Sequence, residues 1–240
     1  MKIRTGDLTF VCEDPYEVAR AESLYTKEPG TIAWLRATLR PGDVFYDIGA
    51  NIGCYSLVAA RLVGLTGRVY AFEPHVFNAA ALLRNIRAND LAAVISVVTT
   101  PLDDVSTVRQ FHYTSLRPGS SGHQLGHTVS ETGRPFTPAI SVFAQSLRLD
   151  DLQGLRPPTV VKIDVDGLEL AILRGMAWPW PRSLQVEVHA KDRHAIAAYL
   201  AGQGYTVSGR HYTQLGQQAV DRGADPDSVT DNAIFSQGVA

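Results

Sequence analysis

Apolar positions in this chain recur in two alternating rhythms. The short run at 44–48 is apolar except for Asp47 and lies between Gly42 and Gly49, which predicts a strand too short to be a helix. Residues 51–63 follow with Tyr55, Leu57, Val58, Ala59 and Leu62, the spacing of a helix packed on that strand. The pair then repeats as strand 68–72 after a turn at Gly67, helix 76–89 and strand 94–98. From about 103 to 150 the rhythm breaks. Segments 108–114 and 137–143 read as two strands around the polar stretch Arg117-Pro118-Gly119-Ser120-Ser121-Gly122, so an antiparallel insertion with a lid-like loop is expected. The alternation resumes with strand 159–163, short helix 168–174, strand 184–188 and helix 192–200. Segments 205–208 and 233–235 read as a closing strand pair, and 221–231 as a polar loop. Ahead of the first strand, 16–39 carries helical stretches around a break at Pro29-Gly30, so 1–42 is expected to be a helical cap.

Strands and helices alternating at these lengths predict one α/β domain over 1–240, with a mostly parallel sheet covered on both faces. Right-handed crossovers then bring the carboxyl ends of the strands to one edge, where ligands bind in such sheets.

Composition narrows this by exclusion. The chain has 240 residues, 45% of them hydrophobic, enough for a full core. With 22 Lys plus Arg against 24 Asp plus Glu, no basic field is available for a phosphate backbone, so nucleic acid is not an expected partner. Cys12 and Cys54 form neither a disulfide framework nor a zinc cluster. No signal peptide or membrane-spanning run is visible, so a cytoplasmic protein is expected.

The chemistry is concentrated where the first strand meets its helix, at Asp47-Ile48-Gly49-Ala50-Asn51-Ile52-Gly53. Gly49 permits a sharp turn and close approach of a ligand, Asn51 tolerates left-handed geometry, and Gly53 lets the helix pack close to the strand. Asp47 places a carboxylate where a cationic amino group could dock. Glu73 ends the second strand twenty residues after Gly53, flanked by Phe72 and Pro74, where a carboxylate can accept from both hydroxyls of an adenosine ribose. A nicotinamide dinucleotide makes the same ribose contact. Its fingerprint is G-x-G-x-x-G around a pyrophosphate, whereas here an acid stands two residues before the first glycine of a G-A-N-I-G turn. The spacing therefore favours S-adenosylmethionine, which has no pyrophosphate.

At this point the sequence resembles the FkbM family of methyltransferases. Three blocks carry the likeness: Pro41-Gly42-Asp43-Val44 through Gly53; Ala71-Phe72-Glu73-Pro74 with the following helix and Asn85; and Val161-Lys162-Ile163-Asp164-Val165-Asp166-Gly167-Leu168-Glu169, continuing to Leu173-Arg174-Gly175. Weaker echoes are Gln185-Val186-Glu187-Val188-His189 and Asp231-Asn232-Ala233-Ile234-Phe235. The resemblance implies the class I methyltransferase (Rossmann-like) fold with a seven-stranded sheet, and usually O-methylation of a sugar or secondary-metabolite hydroxyl. The family commonly has Glu where this chain has Asp166, which puts in doubt any contact needing the longer side chain.

Methyl transfer needs an acceptor positioned in line and relieved of its proton. Asp164 ends the fourth strand, and Glu187 and His189 end the fifth on one side of it. His189 is expected to be the base, because imidazole titrates near neutrality, with Glu187 or Asp164 as orienter. Asp164 is also expected beside the donor. The same three residues could ligate a divalent cation but serve equally without one, and the expected site carries no metal. Glu169 reads equally as a helix N-terminal charge, and Lys162 as a partner for a nearby carboxylate. Asp103, after the third strand, could accept from adenine. Glu28, with Tyr25 and Thr31, could cover the methionine end of the donor. Ser120, Ser121, His123 and His127 lie in the insertion loop and are candidate acceptor contacts. Trp178-Pro179-Trp180-Pro181 is expected to pack in the core, with a contact in a homo-oligomer as its second role. The expected partner is a small-molecule acceptor. An amine in place of a hydroxyl stays open, as does a non-catalytic nucleotide-binding protein of the same fold.

Overall fold

The computed structural model describes residues 1–130, 133–176 and 181–237. Most of the Trp178–Pro181 segment therefore lies outside the described residues. The chain opens on a hairpin of β1 (Lys2–Thr5) and β2 (Leu8–Val11) turned at Gly6, followed by α1 (Pro15–Glu22) and α2 (Pro29–Thr38). The expected helical cap thus begins with two strands. Four-residue strands give too little alternation to register, yet Leu8 and Phe10 are fully buried. The break between the helices falls at 23–28, and Pro29 starts α2, as suits a residue whose missing N–H costs a helix nothing in its first turn.

The central units follow as β3 (Val44–Ile48), α3 (Cys54–Val63), β4 (Arg68–Phe72), α4 (Val76–Ala88) and β5 (Ile95–Val98). The insertion supplies β6 (Thr107–Tyr113), β7 (Gln124–Leu125) and β8 (Ile140–Ser146), a separate antiparallel sheet in the order β7-β6-β8. Then come β9 (Val160–Ile163), α5 (Glu169–Arg174), β10 (Ser183–Val188), α6 (Arg193–Gly202), β11 (Tyr205–His211), α7 (Gln214–Asp221) and β12 (Asp231–Gln237). The main sheet has seven strands in the order β11-β12-β10-β9-β3-β4-β5. Its central pairs β10–β9, β9–β3, β3–β4 and β4–β5 are parallel, and β12 runs against both of its neighbours. This is the α/β fold with the sheet expected of a class I methyltransferase. No described helix is long and apolar enough to cross a membrane.

Every residue of β3 is buried, because hydrophobic clusters cover both faces of the sheet. One joins the hairpin, α2, α3 and α4 through Phe10, Leu35, Leu57 and Leu82; the other joins α5 and α6 through Leu173, Ile196 and Leu200. Packing on this scale holds the strand ends in fixed register, which a site built from several strand termini requires.

Asn85 ties the hairpin to this frame. Its Oδ1 accepts from Val11 N at 2.8 Å and its Nδ2 donates to Ile52 O at 2.9 Å, on a side chain 1% exposed. Asn89, one turn on, grips Thr9 through both backbone groups. Asn85→Ala strands two buried backbone partners and is expected to cost about 2–4 kcal/mol in urea unfolding. A loss below about 1 kcal/mol would show that water replaces both bonds.

Candidate active site

The turn after β3 is held by main-chain bonds across the sheet. Gly49 N and Ala50 N both donate to Phe72 O at 3.0 Å. Asn51 takes the expected left-handed conformation at φ 50°, which aims its N–H at Glu73 Oε2, 2.7 Å away. Gly49 has φ +86°, and a Cβ there would lie 1.8 Å from the backbone oxygen of Asp164. A Cβ on Gly53 would meet Leu82 of α4 at 2.2 Å. Both glycines therefore admit neighbouring protein: the backbone after β9 at Gly49, and α4 at Gly53.

A cavity of about 170 Å3 lies over this turn at the carboxyl edge of the sheet. Glu73, Pro74, Thr100, Leu102, Phe111 and Leu168 line one end. Glu73 is 5% exposed; Oε1 accepts from His75 N at 2.8 Å while Oε2 accepts from Asn51 N. Burial lifts its pKa to about 7, against the backbone donors that pull it down. Its oxygens are thus fixed by the main chain, on a cavity wall that also carries the apolar Pro74 and Leu102.

Three carboxylates expected to touch the donor lie off the cavity wall. Asp47 is fully buried beneath the turn, where Oδ2 accepts from Ser56 Oγ at 2.5 Å and Oδ1 has no hydrogen-bond partner. Burial raises its pKa against the nearby Lys162 charge. Asp103 turns toward the insertion, accepting from Asp104 N and pairing with Arg109 of β6 at 3.2 Å. Glu28 is 1% exposed and accepts from Tyr55 Oη at 2.9 Å and Thr31 Oγ1 at 3.3 Å, so it braces α2 against α3. Tyr25 packs under Arg36 and over Gly6.

The acidic end of the cavity is formed by β9 and β10. Asp164 and Glu187 both line it. Lys162, 1% exposed, donates to Asp164 Oδ2 at 2.7 Å and lies 5.0 Å from the Tyr55 ring centre. Burial pushes the Asp164 carboxyl up, but Lys162 and Lys27 outweigh it and hold the group below the usual carboxylate range. Glu187 has the opposite fate: burial first and the Asp164 charge second raise it to about 7. His189 stands behind Glu187, with Nε2 3.4 Å from Glu187 Oε2 and Nδ1 3.0 Å from Thr230 Oγ1. The two residues share a side of β10 as alternation predicts, yet Glu187 is the one on the cavity wall. Glu169 Oε1 accepts from Val165 N and Gly167 N at 3.2 and 3.1 Å, which shapes the turn entering α5. Glu169, Glu187 and His189 each bring one potential ligand atom within 4.8 Å of the others.

The insertion roofs the cavity. Ser120, Ser121 and His123 line it, whereas His127 is exposed. Ser120 O accepts from Asn51 Nδ2 at 2.8 Å and Asn78 Nδ2 at 3.1 Å, and Gly119 N donates to Asn78 Oδ1 at 2.7 Å. Asp166, at φ +60°, accepts from Gly122 N at 2.7 Å, a contact its short side chain reaches directly. His123 stacks on His75 with ring centres 4.2 Å apart, and burial with the His75 charge depresses its pKa to about 3. Two charged wall residues, Arg20 and Lys27, have no counterpart among the sequence candidates. They come from the end of α1 and the segment after it, which no motif spacing connects to the strand ends.

The family model described as the methyltransferase FkbM domain matches residues 47–207. The chain is 30% identical over 197 residues to the 31-O-demethyl-FK506 methyltransferase FkbM of Streptomyces tacrolimicus, covering 70% of this chain and 75% of that protein. The chain belongs to the FkbM methyltransferase family. It is also 26% identical over 200 residues to methyltransferase sdnD of Sordaria araneosa, covering 72% of this chain and 77% of that one. Among solved structures, the FkbM methyltransferase of Methylobacillus flagellatus KT superposes with a TM-score of 0.51 at 19% identity, over 93% of this chain and 55% of that one. The precorrin-6y C5,15-methyltransferase of Geobacter metallireducens GS-15 gives a TM-score of 0.52 at 15% identity, over 95% and 93%. These structures share the Rossmann-like fold. As an FkbM-family enzyme the chain is a methyltransferase, and such a family implies S-adenosylmethionine as the methyl donor.

Proposed function

We propose that this enzyme transfers a methyl group from S-adenosylmethionine to a hydroxyl of a small molecule, a sugar or secondary metabolite, with Glu187 as the base. The observation that carries this reading is the split between two carboxylates on one wall. Asp164 is held ionised by Lys162, and Glu187 is poised to titrate near pH 7. Groups whose environments push their pKa values apart take different roles.

The residues present fit the donor. Glu73 offers two fixed oxygens to a ribose diol, the apolar wall at Pro74 and Leu102 suits a purine, and Asp164 offers a fixed negative charge to an ammonium group. When bound, the donor supplies an electrophilic methyl on a sulfonium. The protein's part is to orient the acceptor, exclude water under the roof at 119–123, and take the hydroxyl proton at Glu187. His189 keeps Glu187 turned to the cavity, which reverses the order of base and orienter expected from the sequence. The Streptomyces tacrolimicus relative is a 31-O-demethyl-FK506 methyltransferase by name, which supports a hydroxyl acceptor. N-methylation of an amine is the second reading, favoured by the two carboxylates on the wall.

The test has two stages. Isothermal titration with S-adenosylhomocysteine is expected to show one site per chain; absence of both heat and a melting shift at saturating ligand would sink the donor assignment. Incubation with methyl-labelled donor and paired hydroxyl and amino acceptors is expected to label hydroxyls. Exclusive labelling of amines would replace the O-methyl reading.

A further inference from the structure

A small pocket of about 50 Å3 opens beside the turn at Gly49–Asn51. It shares Arg20, Lys27, Gly49, Asn51 and Asp164 with the larger cavity, so the two are one continuous space with a side chamber. The chamber is small beside the cavity it opens from. Its walls hold three cations, Arg20, Lys27 and Lys162, and one acid, Asp164. Lys162 is committed to Asp164 at 2.7 Å. Lys27 is half exposed and pairs with Glu28 at 3.1 Å, with Glu28 also engaged by Tyr55 and Thr31. Arg20 forms no ion pair among the described residues. Only its Nε is committed, to Gly119 O at 2.5 Å. A half-buried guanidinium without an acid leaves its terminal N–H groups for an anion, in the fork geometry that matches a carboxylate.

We propose that Arg20, assisted by Lys27, forms a carboxylate subsite that reads the amino-acid tail of the donor. The proposal rests on the reading that the cavity takes S-adenosylmethionine. With the ribose on Glu73, the tail runs over Gly49 toward the side chamber. There the tail's ammonium meets Asp164 and its carboxylate meets Arg20, so the zwitterion faces an acid and a base in matching order. The charge of Arg20 is already felt at both ends of this path, since it opposes the burial-driven rise of Glu73 and helps keep Asp164 ionised.

The experiment compares two ligands that differ only in that carboxylate. These are S-adenosylhomocysteine and its decarboxylated analogue, 5′-deoxy-5′-(3-aminopropylthio)adenosine, titrated against wild type, Arg20→Met, Arg20→Lys and Lys27→Met. Wild type is expected to prefer S-adenosylhomocysteine by about tenfold to a hundredfold, the range of a charge-assisted hydrogen bond lost. Arg20→Met is expected to bring that ratio near unity; because the change also removes the bond to Gly119 O, the ratio of the two ligands within each variant, not either affinity alone, is the readout. Arg20→Lys is expected to keep part of the preference, and Lys27→Met to reduce it less than Arg20→Met. Equal affinity of wild type for the two ligands, or an undiminished ratio in Arg20→Met, would overturn the subsite. Binding of neither ligand to wild type would overturn the donor reading itself, and the subsite with it.

Discussion

Glu187→Gln is expected to lower kcat by about two to four orders of magnitude while leaving the affinity for S-adenosylhomocysteine within about threefold of wild type. The amide keeps the shape of the side chain and removes only its ability to take a proton. An aliphatic hydroxyl needs a base at the moment of transfer, and Glu187 is a carboxyl on the wall with a pKa raised to about 7. An ordinary glutamate would be far too weak a base there, whereas burial and the neighbouring Asp164 charge bring this one close to the working pH. The sign of the pH dependence follows. Glu187 must be deprotonated to act, so kcat/KM is expected to rise through about pH 7 and level off above it. His189 pulls the Glu187 pKa down by hydrogen bonding and charge. His189→Gln is therefore expected to move the midpoint upward and to cost less in kcat than Glu187→Gln. If His189→Gln proved the more damaging change, with Glu187→Gln retaining more than half the activity, the histidine would be the base.

Gly49→Ala is expected to destabilise the protein by about 3–5 kcal/mol and to weaken S-adenosylhomocysteine binding more than tenfold. Two costs combine. A side chain at φ +86° carries left-handed strain of about 1–3 kcal/mol, and the new methyl group would sit 1.8 Å from Asp164 O, forcing β3 and β9 apart at their carboxyl ends. The second cost falls on the site, because Asp164 N is held by Ile48 O at 3.0 Å and moves with that backbone. Gly64→Ala separates the two terms. Gly64 has φ 64° and ψ -171°, a conformation almost reserved for glycine, with nothing within 4 Å of its missing Cβ, so this change carries strain alone, about 1–3 kcal/mol, and is expected to leave binding intact. Urea unfolding and titration of both variants check the pair; equal losses would mean that strain alone explains Gly49.

The positions of Glu73, Asn51, Asp164 and Glu187 were legible because each sits at the end of a strand buried on both faces, where the apolar run and the acid that stops it are visible together. The direction in which a side chain turns is not coded locally. Asp103 lies beyond the end of β5, and Arg109, contributed by the insertion, pairs with it away from the cavity wall. The choice between Glu187 and His189 depends on Thr230, which reaches His189 from the approach to β12. Arg20 reaches the site only because α1 packs there. The fold shows the same limit. The strands of the central sheet declare themselves by burial, whereas α7 has no buried residue and Leu215 is 78% exposed, so no packed core face marks it. The insertion was recognisable by its broken rhythm, though its short middle strand β7 was not.

The roof over the cavity is fastened through its main chain. Asn51, Asn78, Arg20 and Asp166 grip Gly119 N, Gly119 O, Ser120 O and Gly122 N, none of which belongs to a side chain. Gly119 is constrained further, since a Cβ there would strike the backbone of Tyr16 and Glu17 at 2.9 Å. Arg117 adds a side-chain tie, pairing with Asp14 at 2.9 Å and covering the Tyr16 ring, whereas the Ser121 side chain takes no part in the fastening. Evolution is left with Ser121 on the cavity wall as a position whose chemistry can drift toward new acceptors while the machinery beneath it stays registered, and directed evolution of acceptor preference has its natural starting point there.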